Sequence, residues 1–285
     1  MKNNESLSFV STEQKEKIVN ELWSRILAKN NLVQENSPHS YVMGGQPGAG
    51  KSTSTTILKE KFGNNIILID LDQYRKEHPN YKALYEKYGK ELSSYTHEFA
   101  GEIKEEIQKR AIDNRYNIII DGTLGNVGRA EELIDNLKNK GYHVDIVIHT
   151  CPKEISWNSV NMRYENALKA GEIPRHVPKV VHDQIIEALP QNTDKLSQSK
   201  QIESLTIHNR QEKIYDSKID KILPSLVVQA EINKNDKKLS KDNLAQSSND
   251  IFAQVRQAAA QKLVIKQSLS DQKSTNKRIG KGIEK

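Results

Sequence analysis

Residues 45–52, Gly-Gln-Pro-Gly-Ala-Gly-Lys-Ser, fit the spacing G-x-x-x-x-G-K-[ST] without a mismatch. That pattern is suited to holding phosphate. Glycines at 45, 48 and 50 let consecutive backbone N–H groups turn inward, and the helix that follows offers its N-terminus to the same point. Lys51 can then reach the β- and γ-phosphates as a point charge, while the Ser52 hydroxyl can sit on Mg²⁺. Gly45, Gln46, Pro47, Gly48, Ala49, Gly50, Lys51, Ser52 and Thr53 are the expected nucleotide-binding set. A short apolar run, Tyr41-Val42-Met43, precedes the loop, and Ile57, Leu58 and Phe62 follow it at helical spacing. Strand, loop and helix come in the order that a nucleoside triphosphate site requires.

Two acidic stretches could complete the chemistry. In Ile69-Asp70-Leu71-Asp72-Gln73, Asp72 leaves a strand and enters a loop, where a small P-loop kinase needs a base for its acceptor hydroxyl. Asp70 would end the strand or orient neighbours, and local backbone bonding accounts for either aspartate equally well. Ile118-Ile119-Ile120-Asp121-Gly122-Thr123 has the Walker B form, in which the acid holds Mg²⁺ or its water. Arg163 lies in a helical run and Arg175 in a Gly/Pro-framed interruption at 170–178. Arginines on a lid can stabilise the charge that builds on a moving phosphoryl group, although a solvated surface charge is the plainer reading of either one alone. The eight histidines show no metal-ligand spacing, so no zinc site is expected.

These residues need elements to position them. Ser11-Thr12-Glu13-Gln14 resembles a capping box, and Ile18, Leu22 and Ile26 then recur every fourth residue. The apolar runs at 66–70, 116–120 and 144–149 read as strands, the first with the continuous form of a parallel sheet covered on both faces. Residues 72–88 should begin as a loop and turn helical after Pro79. Helical spacing covers 96–111, 128–139 and 153–189, the last with its interruption at 170–178. Residues 205–208 and 213–215 look like a hairpin. The alternation argues for an α/β fold with a parallel sheet and right-handed crossovers.

Charge and composition divide the 285 residues unevenly. The net charge is +6, yet residues 223–285 carry 12 Lys and Arg against 6 Asp and Glu, so residues 1–222 are neutral. The catalytic part therefore shows no basic face calling for a nucleic-acid partner. We expect a kinase domain over 1–225 and a basic, low-complexity, mostly disordered tail over 226–285, with a conditional short helix at 250–266. That tail could also be an address or partner-binding arm. No run approaches the roughly 20 apolar residues of a membrane span, and no secretory signal is visible at 1–8. The single cysteine, Cys151, reads as a small buried residue at a strand end, consistent with a reducing cytoplasm.

Taken together, the motifs resemble zeta toxins, the kinase halves of bacterial toxin–antitoxin pairs. The phosphate loop, Ile69-Asp70-Leu71-Asp72-Gln73-Tyr74-Arg75 with His78-Pro79-Asn80-Tyr81, Asp121-Gly122-Thr123, Arg163-Tyr164-Glu165, Arg175-His176-Val177-Pro178-Lys179, His182-Asp183 and Asn209-Arg210 fall in family order over about 40–217. The resemblance implies a P-loop kinase-like three-layer fold, a parallel sheet flanked by helices. It also implies ATP·Mg²⁺-dependent phosphorylation of the 3′-hydroxyl of the amino sugar of UDP-N-acetylglucosamine, yielding a product useless for peptidoglycan synthesis. By the same analogy Lys51 holds the ATP phosphates, Asp72 deprotonates the sugar and Arg163 and Arg175 clamp the moving phosphate. Asp121 and Thr123 position substrate, Ser52 and Asp121 serve Mg²⁺, and a cognate antitoxin blocks the ATP site. Two departures stand out: Asp121 where the family usually has Glu, and Gly125 where it often has Arg. Another nucleotide sugar, a small antibiotic, a nucleic-acid 5′ end, or a regulatory or secreted NTP-binding effector stay open as alternatives.

Overall fold

The computed structural model describes residues 7–29 and 31–234. The first helix, α1 (Thr12–Lys29), opens with the reciprocal bonds of a capping box. The Ser11 N–H donates to Gln14 Oε1 at 3.2 Å and the Gln14 N–H to Ser11 Oγ at 3.3 Å. Then follow β1 (His39–Gly45), α2 (Lys51–Lys61), β2 (Ile67–Asp70), α3 (Leu71–Arg75), α4 (Tyr81–Tyr88), α5 (Leu92–Tyr95), α6 (His97–Asp113) and β3 (Ile118–Asp121). The second half runs α7 (Val127–Asn139), β4 (His143–His149), α8 (Lys153–Lys169), α9 (Lys179–Ser197), β5 (Ser204–His208), β6 (Lys213–Asp216) and α10 (Pro224–Ile232).

Among the described residues, six strands form one sheet in the order β2-β3-β1-β4-β5-β6, parallel except for β6. The expected hairpin is thus the antiparallel edge of an otherwise parallel sheet. The apolar runs pair because both of their faces are covered. Val42, Ile118 and Ile120 point into one core layer with α1, α6, α7 and α9, while Tyr41, Met43 and Ile119 point into the other with Leu58 of α2. Such burial stabilises by about 1.5–3 kcal/mol for each large aliphatic side chain. Strand β1 lies between β3 and β4, so successive crossovers diverge from its carboxyl end and leave a crevice there.

Three expectations need correction. Asp72 does not enter a loop: α3 starts directly after β2, because the Asp70 side chain caps it by accepting from the Asp72 N–H at 2.9 Å. Helix α9 does not stop at Leu189 but continues through Pro190 to Ser197. Proline removes one helical hydrogen bond, and the buried stripe of Leu189, Asn192, Thr193 and Leu196 carries the helix past it. The compact unit extends to Lys234 rather than 225, since α10 packs on α9. The 250–266 helix and most of the tail lie outside the described residues. Among the described residues no helix is long and apolar enough to cross a membrane. Cys151 is buried just past β4, where burial pushes its thiol up to about 11.

Two histidines close the carboxyl ends of β4 and β5. His149 and His208 are register partners with rings stacked at 5.5 Å, and neither ring nitrogen of His149 has a hydrogen-bond partner. Burial, reinforced by the other ring, lowers His149 to about 3, and burial lowers His208 to about 4. The unfolded chain takes up these protons near pH 6.5 and the folded chain does not. Stability therefore falls as pH drops below about 6.5, by up to about 1.4 kcal/mol per pH unit for each histidine. His149→Leu is expected to flatten the decline of Tm between about pH 6.5 and 4.5; calorimetric curves parallel to the parent's would contradict this.

Candidate active site

The loop after β1 is pressed against its neighbours so tightly that side chains are excluded. A Cβ on Gly45 would stand 1.9 Å from the His149 carbonyl oxygen, and one on Gly48 would stand 2.2 Å from that of Ser156 in α8. Both glycines also have positive φ, 127° and 85°. The Gln46 side chain turns away from the cavity and donates from Nε2 to the Cys151 carbonyl at 2.7 Å, bracing the loop on the end of β4. Helix α2 then begins at Gly50 with no side-chain cap, leaving its first turn to face an anion.

The loop forms one wall of a cavity of about 820 Å³. Pro47, Gly48, Ala49, Gly50, Lys51 and Ser52 line it, as do Asp72, Asp121, Thr123, Arg163 and Arg175. Gly45, Gln46 and Thr53 do not; they support the loop from behind. The sequence-derived catalytic set, Lys51, Asp72, Arg163 and Arg175, is therefore gathered in one place although it comes from four different elements or connections.

Lys51 is held inside this cavity, its Nζ donating to the Gly45 carbonyl at 3.3 Å. Burial pushes its pKa down; Asp121 is the strongest opposing influence, and Arg175 and Arg163 add to the depression. Asp121 is the mirror case. Burial raises its pKa, Lys51 lowers it, and Asp70 and Asp72 raise it further. Its Oδ1 is buried without a hydrogen-bond partner, an acceptor suited to a cation. Asp121 and Asp70 end neighbouring strands in register, which accounts for their mutual influence.

Asp72 sits between two arginines. Arg75 Nε lies 3.3 Å from Oδ1, and Arg175 pairs with Oδ2. Arg75 is itself fixed by the Ser93 carbonyl at 2.6 Å and Thr96 Oγ1 at 3.1 Å, so the carboxylate has a rigid partner on one side. Arg175 comes from the connection between α8 and α9, which turns at Gly171 (φ 70°) and ends at Pro178. Arg163 of α8 reaches the cavity with much of its side chain exposed, and desolvation followed by Arg175 depresses its pKa. Just beyond the connection, buried His182 bonds Ser156 Oγ through Nε2 at 2.9 Å, tying the start of α9 to the turn of α8 that backs Gly48.

Four contributors were not read from the sequence. Arg75 and Arg210 stood in the quoted motifs without a role; Arg210 donates to the Gly48 carbonyl at 2.8 Å and to Ser159 Oγ at 2.6 Å. Asn192 of α9 donates to the Leu124 and Gly125 carbonyls at 2.9 and 3.3 Å, holding the turn after Thr123. Lys104 of α6 lines the cavity, and only its place on an amphipathic helix could have hinted at it.

A mostly parallel sheet in this strand order, with a phosphate-binding loop after its central strand, defines a P-loop kinase-like fold. The zeta toxin family model matches residues 24–220, and the chain belongs to that family. Toxin PezT of Streptococcus pneumoniae serotype 4 is 35% identical over 212 residues, covering 74% of this chain and 83% of the relative. Toxin zeta of Streptococcus agalactiae is 29% identical over 211 residues, 73% of each chain. A solved structure from the PezAT chromosomal toxin–antitoxin system of Streptococcus pneumoniae superposes with a TM-score of 0.73 at 28% identity, covering 86% of this chain and 97% of that one.

Gly48→Ala tests the loop directly. The added methyl meets the backbone of α8 and strains a positive φ, so ATP affinity should fall by about tenfold or more. Titration calorimetry on protein with unchanged far-ultraviolet circular dichroism reads this, and parental affinity would refute it.

Proposed function

We propose that the chain transfers the γ-phosphoryl group of ATP to the 3′-hydroxyl of the amino sugar of UDP-N-acetylglucosamine, and that it acts as a toxin restrained by a cognate antitoxin. The observation that carries this reading is Asp72, a carboxylate bracketed by Arg75 and Arg175 in the same cavity as the phosphate loop. A module that only bound nucleotide would need no such group.

The chemistry follows from these positions. The acceptor oxygen attacks the γ-phosphorus, the bond to the β–γ bridging oxygen breaks, and ADP leaves with that electron pair. The hydroxyl proton passes to an Asp72 carboxylate oxygen. Lys51, Arg163 and Arg175 stabilise the charge on the moving group. The γ-phosphate draws Arg175 off Asp72, which leaves the carboxylate ready for the acceptor. Ser52 and Asp121 would hold Mg²⁺, and the unpartnered Asp121 Oδ1 fits that role. Mg²⁺ would supply charge neutralisation at the β- and γ-phosphates. Asp121 and Thr123 are assigned to acceptor positioning.

Lys76 and Lys90 add positive charge on the wall built by α3–α5, beyond what the ATP phosphates engage, as an acceptor with its own phosphates requires. The restraining partner is inferred from the toxin–antitoxin system to which the similar solved structure belongs. A cytoplasmic location follows from where such an acceptor is made and used.

Purified protein incubated with ATP, Mg²⁺ and a panel of nucleotide sugars should add one phosphate to UDP-N-acetylglucosamine by mass spectrometry, and Lys51→Ala should abolish it. Transfer to a different sugar would correct the acceptor; no transfer to any, with ATP bound, would overturn the reading. Asp72→Ala is expected to lower kcat by about 10²–10⁴-fold while ATP affinity stays near parental. Turnover close to the parent's would remove Asp72 from the role of base.

A further inference from the structure

Residues 170–178 join α8 to α9, and both ends of that connection are tied to α8. It leaves at Gly171, whose N–H donates back to the Leu168 carbonyl at 3.0 Å, while the Glu172 N–H donates to that of Ala167 at 2.9 Å. It is tied again at the opposite end of the same helix. His182 is the fourth residue of α9 and Ser156 the fourth of α8. His182 Nε2 and Ser156 Oγ bond at 2.9 Å, and both side chains are fully enclosed. The Trp157 ring lies 5.2 Å from the imidazole at this corner, and Asp183 pairs with Lys153 at 3.3 Å.

The connection is therefore a strap laid back along α8, and His176 meets the ring of Tyr164, within that helix, at 5.9 Å. Among the described residues no backbone–backbone hydrogen bond engages residues 173–177. Pro174 and Val177 are its buried residues. The course of the strap is thus set by its two ends and a few side chains. Arg175 stands between them, partly exposed and reaching across to the Asp72 carboxylate. A cation stabilises a developing charge most when it is held in place beforehand, so whatever pins the strap bears on the chemistry.

We propose that His182 is a positioning residue for phosphoryl transfer. Its bond to Ser156 latches the strap at the start of α9, so that Arg175 passes from Asp72 to the moving phosphoryl group by side-chain rotation alone. The inference rests on the phosphotransferase reading given above and adds the device that fixes one of its arginines. The Lys153–Asp183 pair at the same corner is partly exposed and open to screening, so it is the weaker tie. A purely architectural His182 would act differently. It would support Gly48 through α8, and its loss would weaken ATP binding whether or not Arg175 were present.

The test measures steady-state transfer from ATP to UDP-N-acetylglucosamine by the full chain. The variants are Ser156→Ala, His182→Leu, His182→Gln, Arg175→Ala, and Ser156→Ala combined with Arg175→Ala. Ser156→Ala is the mildest, because it removes the hydroxyl and keeps the backbone carbonyl behind Gly48. Ser156→Ala and His182→Leu should each lower kcat by about tenfold or more with KM for ATP near parental. His182→Gln, whose amide can still reach the Ser156 hydroxyl, should recover part of the loss. In the Arg175→Ala background, Ser156→Ala should cost nothing further. A readout apart from activity is tryptic cleavage after Arg175, followed by mass spectrometry, which should be faster in Ser156→Ala than in the parent. Parental kcat in Ser156→Ala, a raised KM for ATP as the main effect, or a full second loss in the Arg175→Ala background overturns the proposal and leaves the proposed function standing. Unchanged cleavage after Arg175 overturns the latch itself. A parent that transfers phosphate to no acceptor overturns the phosphotransferase reading and the catalytic role of His182 with it.

Discussion

A lysine ammonium and a carboxylate enclosed together at the carboxyl ends of two parallel strands set the terms for everything around them. Lys51 and Asp121 are each displaced from their ordinary pKa by burial, and each is the other's largest compensation. Neither could be so enclosed without β1 and β3 in parallel register, which sets Asp121 beside Met43 at the foot of the phosphate loop. That register depends in turn on Ile118, Ile119 and Ile120 filling both faces of the sheet. The loop must lie flat on β4 and α8 to bring Lys51 there, which is why Gly45 and Gly48 meet neighbouring backbone rather than open space.

The arginines form a second tier built on the first. Asp72 is aimed by a helix that Asp70 caps, and it is held from one side by Arg75, whose guanidinium is anchored on the segment from α5 to α6. Arg175 arrives on the connection between α8 and α9, which carries Pro174 and ends at Pro178, so the two partners of the same carboxylate come from different parts of the fold. Helix α9 links these parts, touching α8 behind the phosphate loop through His182 and the turn after Thr123 through Asn192.

What was legible in the sequence was whatever is encoded by spacing within one short segment. The phosphate loop, the acid that ends β3 and the capping box at Ser11 and Gln14 each carry their own geometry, and each took the expected form. The α/β class followed from alternating periods for the same reason. Asp72 was singled out as a candidate but its setting was not foreseen, because Asp70 could serve a strand end or a helix cap and only the fold decides between them. Helix α9 ran past Pro190 because buried contacts outweighed a local penalty. Lys104 and Asn192 left no trace, since their value depends on which face of a long helix meets a site assembled from distant strands.

The two outer strands of the sheet, β2 and β6, are four residues each. Strand edges are where unpaired backbone can recruit another chain, and short edges offer the least of it. Exposed Lys213 on β6 adds a charge to one of them. Among the described residues, then, the protein has little surface on which a partner could add a strand or on which copies could nucleate aggregation. Recognition therefore falls to side chains and to the cavity rather than to backbone pairing.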